Sequence, residues 1–195
     1  MPSPPPPSGP PLVTVMGVSG SGKTTVGAAL AQRLGVPFAD ADDFHPEANV
    51  AKMSAGVPLD DLDRLPWLHI LGNWQAAHAA TGAVVTCSAL RRWYRDVLRE
   101  AAPGQVFVHL DGPPEVVARR VAGRPGHFMP ASLVESQFAT LEALQPDEAG
   151  FALDLDQPVD DLVVQAVEAL TARGVAGTPS PSARPTGPAS AGKEA

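Results

Sequence analysis

Gly17-Val18-Ser19-Gly20-Ser21-Gly22-Lys23-Thr24 decides the reading of this chain. The run fits G-x-x-x-x-G-K-[ST], the phosphate-binding loop, at every fixed position. Val13 to Met16 before it are mostly apolar and read as a buried strand. Val26 to Leu34 after it read as a helix. Strand, glycine turn, helix is the context the motif requires. Glycines let the backbone fold tightly, so that successive N–H groups point inward at phosphate oxygens. The positive end of the new helix adds to that field. Gly17, Ser19, Gly20, Ser21, Gly22, Lys23, Thr24 and Thr25 are therefore the candidates to hold ATP. Lys23 would reach the outer phosphates, and the Thr24 hydroxyl would ligate Mg²⁺.

Composition bounds the rest. At 195 residues the chain can bury a sizeable core. Residues 1–11 hold seven prolines, and the stretch from Thr171 holds four more among Ala, Gly, Ser and Thr. Such segments bury little apolar surface, so 1–11 is expected as a disordered arm and 171–195 as a disordered tail. One domain over 12–170 remains. The chain carries a net charge of −7. Arg173, Arg184, Lys193 and Glu194 give the tail +2, which leaves −9 on the body. That balance argues against a broad nucleic-acid surface. No apolar run approaches membrane-spanning length. The arm lacks the basic start and apolar stretch of a signal peptide, so a cytoplasmic location is expected. A single cysteine, Cys87, excludes an internal disulfide and a Cys-based zinc site.

Patterning predicts alternating strands and helices. Strands are expected at 12–16, 37–39, 83–87, 106–110 and 152–156. Helices are expected at 24–34, 47–54, 63–80, 91–100, 114–121, 133–144 and 160–170. Such alternation implies a five-stranded parallel sheet with helices on both faces. Ligands of such sheets bind at the carboxyl ends of the strands.

Four further polar segments follow strands or flank helices. Asp40-Ala41-Asp42-Asp43-Phe44-His45-Pro46 offers two carboxylates two residues apart. Asp42 is the candidate to orient and deprotonate an acceptor hydroxyl, and Asp40 to hold Mg²⁺ through water. The same segment also suits an acidic turn that caps a helix. Arg64 and Trp67 fall three apart on one helix face, a setting for a carboxylate-bearing organic substrate or for core packing. Ser88 stands where phosphate-loop proteins often carry an acidic metal residue. Arg91, Arg92 and Arg95 make a positive patch, with Arg91 and Arg95 on one helical face. Arg119 to Pro130 pairs arginines with a Gly/Pro-bounded segment, which suits a lid. Arg120 and Arg124 would then bring cations to the transferring phosphoryl group.

In order along the chain, these segments resemble the gluconate kinases among the phosphate-loop small-metabolite kinases. The resemblance rests on the loop, Asp40-x-Asp42-x-x-His45-Pro46, Asn49-x-x-Lys52-Met53, the run from Gly56-x-Pro-Leu59 to Arg64-x-Pro-Trp67, Cys87-Ser-Ala-Leu90, Tyr94-Arg-Asp96 and Gly126-His-Phe-Met129. It implies a nucleoside-monophosphate-kinase type of fold with a lid, usually dimeric. It also implies ATP-dependent phosphorylation of D-gluconate at its 6-hydroxyl. By position, Asp42, His45, Arg64, Trp67, Arg95 and His127 fall where the substrate is bound, and Arg120 and Arg124 fall in the lid. Two departures stand out: Ala41 where members often have Gly, and Arg91 where they commonly have Lys. Another metabolite kinase, such as a shikimate kinase, shares the loop and an Asp-x-Asp turn. This chain lacks that enzyme's Gly-Gly-Gly run after the central strand. A regulatory nucleotide-binding protein without turnover is the more distant rival.

Overall fold

Five short strands lie in the middle of the structure, β-branched in the three central ones. A computed structural model describes residues 9–122 and 131–175, with the backbone alone at 131–133. The strands are β1 (Leu12–Met16), β2 (Phe38–Asp40), β3 (Ala83–Thr86), β4 (Val106–Asp111) and β5 (Gly150–Asp154). They pair in parallel in the order β2-β3-β1-β4-β5. β1 and β3 are buried at every position, as befits strands covered on both faces.

The helices are α1 (Lys23–Leu34), α2 (Glu47–Ser54), α3 (Asp61–Ala77), α4 (Arg92–Ala101), α5 (Pro114–Ala122), α6 (Ala131–Thr140) and α7 (Val159–Ala172). Val13, Val15, Val26, Leu30, Val108, Leu110, Leu162 and Leu170 fill the core on the α1 and α7 side. Met16, Leu68, Leu71, Val85, Leu98 and Phe107 fill it on the α3 and α4 side. On that second side, Thr14 donates to Gln105 Oε1 at 2.7 Å, and Gln75 donates to the Val13 carbonyl at 3.1 Å. These bonds satisfy polar groups that would otherwise be buried alone. An isolated bridge pairs Gly9 with Val175, whose side chain is buried.

Local chemistry moves some boundaries. α3 begins two residues earlier than expected because Asp60 and Asp63 form a reciprocal capping box. α1 ends on Gly35 at φ +69°, whose N–H turns back to the Gln32 carbonyl. α6 stops at Thr140, and the chain then runs irregularly to Glu148 under the hold of Arg95. β2 ends on Asp40, paired with Thr86, and a 3₁₀ turn (Ala41–Phe44) follows at once. That register delivers Asp40 and Asp42 to the carboxyl edge of the sheet, beside the loop after β1.

Candidate active site

The loop Gly17–Gly22 leaves β1 at its carboxyl end and feeds directly into α1. Gly17 has φ +140°, and a Cβ there would stand 2.8 Å from the Leu110 carbonyl oxygen. Gly22 has φ +96°, a conformation that L side chains resist. These two positions explain why the motif needs glycine. Lys23 Nζ donates to the Val18 carbonyl at 2.9 Å, which folds its ammonium over the loop. The Gly17 N–H faces the Ser88 carbonyl at 3.4 Å, so the Cys87–Leu90 segment after β3 lines the loop. Arg120 donates to the Ser21 carbonyl at 3.1 Å and also to the Leu155 carbonyl. It ties the loop to the segment after β5. Thr25 is exposed at the start of α1.

Opposite the loop stands the 3₁₀ turn. Thr24 Oγ1 donates to Asp40 Oδ2 at 2.8 Å. Asp40 Oδ1 accepts the Asp42 N–H at 3.2 Å, which caps the turn. Thr24 and Asp40 are hard oxygen donors of the kind Mg²⁺ takes alongside phosphate oxygens and water. Among the described residues, no group of three or more His, Cys, Asp or Glu is placed to hold a metal by itself.

The Asp42 side chain is 89 % exposed, with His45 Nε2 3.9 Å from its Oδ1. Neighbouring protein still displaces part of its hydration, and this pushes its pKa up from the ordinary Asp value. The negative charge of Asp40 adds to the rise; His45 and Lys23 oppose it. Its high exposure keeps the effect modest. The His45 ring stacks on Trp67, with centroids 4.3 Å apart and planes 13° from parallel. Burial lowers the His45 pKa, Asp42 opposes that, and Arg64 adds to it. His45 is therefore neutral at pH 7. Cys87 lies beneath, its thiol pushed up to about 12 by burial, and is an inert packing residue.

A second cluster borders this turn. The Asp61 carboxylate accepts Tyr94 Oη at 2.7 Å and an Arg91 guanidinium nitrogen at 2.8 Å. Arg64 approaches the same carboxylate at 3.8 Å. Both guanidiniums stand 5.9 Å from the Tyr94 ring centroid. Asp61 thus fixes two cations at the edge of the cleft. Lys52 binds Asp63 at 2.6 Å, and Asn49 donates to the Asp63 carbonyl at 2.9 Å, which docks α2 on the start of α3.

The structure brings together Lys23, Thr24, Asp40, Asp42, His45 and Arg64. It corrects two expectations. Arg95, expected in the substrate pocket, is fully buried. Its Nε and Nη2 hold both Glu148 oxygens at 2.7 and 2.8 Å, and its Nη1 donates to the carbonyls of Ala89 and Glu142. Its donors are consumed, so it braces the 142–148 segment and does not meet a substrate. The face it was expected to share with Arg91 is accordingly split between core and cleft. Trp67, also expected in the pocket, is 7 % exposed and gives its indole N–H to the Ala41 carbonyl at 2.8 Å. It supports the pocket from behind. Arg124 and His127 lie outside the described residues.

Gln137 is the residue that sequence reasoning missed. Its side-chain carbonyl accepts the Ser19 N–H at 2.6 Å, and its amide donates to Ser19 Oγ at 3.0 Å. A lone glutamine on an amphipathic helix carries no motif to flag it.

The comparisons agree with this geometry. The family model described as shikimate kinase matches residues 19–146. A gluconokinase from Gluconobacter oxydans (strain 621H) is 52 % identical over 141 residues, spanning 71 % of this chain and 79 % of that protein. The thermosensitive gluconokinase of Escherichia coli (strain K12) is 43 % identical over 164 residues, spanning 81 % and 86 %. The crystal structure of a gluconokinase from Sinorhizobium meliloti 1021 superposes with a TM-score of 0.78 at 46 % identity, covering 85 % of this chain and 94 % of that one. No helix among the described residues is long and apolar enough to cross a membrane. With relatives this similar over most of its length, the chain belongs to the gluconokinase family of phosphate-loop kinases.

Proposed function

We propose that this chain transfers the γ-phosphoryl group of ATP to the 6-hydroxyl of D-gluconate, giving 6-phosphogluconate and ADP. The observation that carries this reading is the wall of Asp42, His45 and Arg64 set against the Lys23–Thr24 end of the loop.

The loop N–H groups and Lys23 hold the nucleotide phosphates. Thr24 and Asp40 would hold Mg²⁺, which when bound screens the charge between phosphate oxygens. Arg64, fixed by Asp61, meets the gluconate carboxylate as a planar fork. Neutral His45 takes a sugar hydroxyl by hydrogen bond. Asp42 accepts the 6-hydroxyl proton and aims that oxygen at phosphorus. The new O–P bond forms as the bond to the ADP oxygen breaks, and the proton rests on Asp42. Orientation matters more than full deprotonation when the transition state is loose. Arg120, already at the loop, and Arg124 offset the charge on the phosphoryl oxygens.

The family resemblance also carries a homodimer and a cytoplasmic location into the proposal. Sedimentation tests the first. The folded body reaches past the bounds expected for the arm (1–11) and tail (171–195), to the Gly9–Val175 bridge, so trimming only residues 1–8 and 176–195 is expected to leave turnover unchanged. The reaction itself is tested by coupling 6-phosphogluconate formation to its dehydrogenase, with shikimate as the rival acceptor.

A further inference from the structure

One peptide unit of the phosphate loop is gripped from both sides. The Val18 carbonyl accepts Lys23 Nζ at 2.9 Å. The Ser19 N–H, on the same peptide bond, donates to Gln137 Oε1 at 2.6 Å. A trans peptide is planar, with its C=O and N–H pointing in opposite directions. Whatever fixes the N–H therefore fixes where the carbonyl points. The orientation of the Gln137 amide is not open either. The Ser19 N–H can only donate, so the oxygen must face it, and the amide nitrogen is left to donate to Ser19 Oγ at 3.0 Å.

Gln137 is itself firmly mounted. Val134, one turn earlier on α6, is buried in the core, and Phe138 and Leu141 pack against it. Just beyond the helix, the Glu142 N–H donates to the Leu90 carbonyl at 2.8 Å, and Arg95 donates to the Glu142 carbonyl at 3.1 Å. The buried Arg95–Glu148 pair thus holds the base from which Gln137 reaches the loop.

We infer that Gln137 is a positioning residue for the transfer: it sets the plane of the Val18–Ser19 peptide and, through the Val18 carbonyl, the station of the Lys23 ammonium. This rests on the reading of Gly17–Thr24 as the nucleotide loop. Gln137 reaches the phosphates only through that peptide. It also links α6 to the loop.

Gln137→Met keeps the side chain's length and removes both hydrogen bonds. The variant is expected to melt within about 2 °C of the parent, because its packing is kept. Its Kd for Mg·ATP, titrated without any acceptor, should rise about tenfold, the worth of roughly one well-made hydrogen bond. Its kcat/KM for ATP should fall by a similar factor, with KM for gluconate unchanged within about twofold. Ser19→Ala keeps the N–H bond and should lose about threefold at most. Parental ATP affinity and kcat/KM in Gln137→Met would overturn the inference. So would a Ser19→Ala loss equal to that of Gln137→Met, or a fall in melting temperature that carries the gluconate KM with it. Should the parent bind ATP yet fail on gluconate, the proposed reaction falls, and the ATP titration still decides the role of Gln137.

Discussion

Thr24 Oγ1 and Asp40 Oδ2 lie 2.8 Å apart, joining the first turn of α1 to the last residue of β2. The other Asp40 oxygen caps the turn that carries Asp42. One carboxylate thus couples the hydroxyl proposed to ligate Mg²⁺ to the turn proposed to face the acceptor. Asp40→Asn keeps an oxygen for the cap and loses the charge. The Mg²⁺ concentration for half-maximal rate at saturating ATP should rise about tenfold. An unchanged Mg²⁺ dependence would remove Asp40 from the metal site.

Lys23 offers the cation folded over the loop. Lys23→Ala is expected to abolish nearly all turnover, a loss on the order of a hundredfold or more, while the protein still folds. Steady-state rates beside a circular-dichroism melt check both halves. Near-normal turnover would sink the assignment of the loop.

Asp42 has a raised pKa in the folded protein, so the folded state keeps its proton to higher pH than the unfolded chain. Between the ordinary value of 3.8 and the raised one, stability falls as pH rises. Above both, the ionised carboxylate carries a constant cost. Asp42→Asn should therefore lose most of its turnover and yet melt slightly higher at pH 7. The acid limb of kcat/KM, which reports the free enzyme, should also lie above pH 3.8 in the parent. A variant both active and less stable would contradict this account of Asp42.

Arg95 and Glu148 are both fully buried. Arg95→Met strips the buried Glu148 of its two guanidinium hydrogen bonds and leaves it only the Gln145 N–H at 2.9 Å and Arg92 at 3.9 Å, at an expected cost of about 3 kcal/mol in urea unfolding at pH 7. Burial by itself would raise the Glu148 pKa. The Arg95 hydrogen bonds, the Gln145 N–H and the charges of Arg95 and Arg92 outweigh it and hold the value below the ordinary 4.5. This contribution is present above pH 4.5 and is lost as pH falls through the lowered value. The gap between parent and variant should narrow in that acid window.

Much of this was legible in the sequence. Gly17 to Thr24 carries its own geometry, because glycine, lysine and threonine are each needed at fixed offsets. Asp40 and Asp42 follow a recognisable strand. Arg95 misled because helical spacing places it with Arg91 but cannot say that Glu148, 53 residues later, folds over it. Asp61 carries no motif of its own; its hold on Tyr94, Arg91 and Arg64 arises only when α3 and α4 pack together. Gln137 lies 118 residues from Ser19, and no local pattern announces such a contact.

The most direct test of the central claim is Mg·ATP-dependent phosphorylation of D-gluconate by the full chain. Product would be read as NADPH through 6-phosphogluconate dehydrogenase, beside an ADP assay with shikimate. The account predicts turnover on gluconate, none on shikimate, and none without Mg²⁺. ATP binding with no 6-phosphogluconate formed, or turnover on shikimate instead, would contradict it.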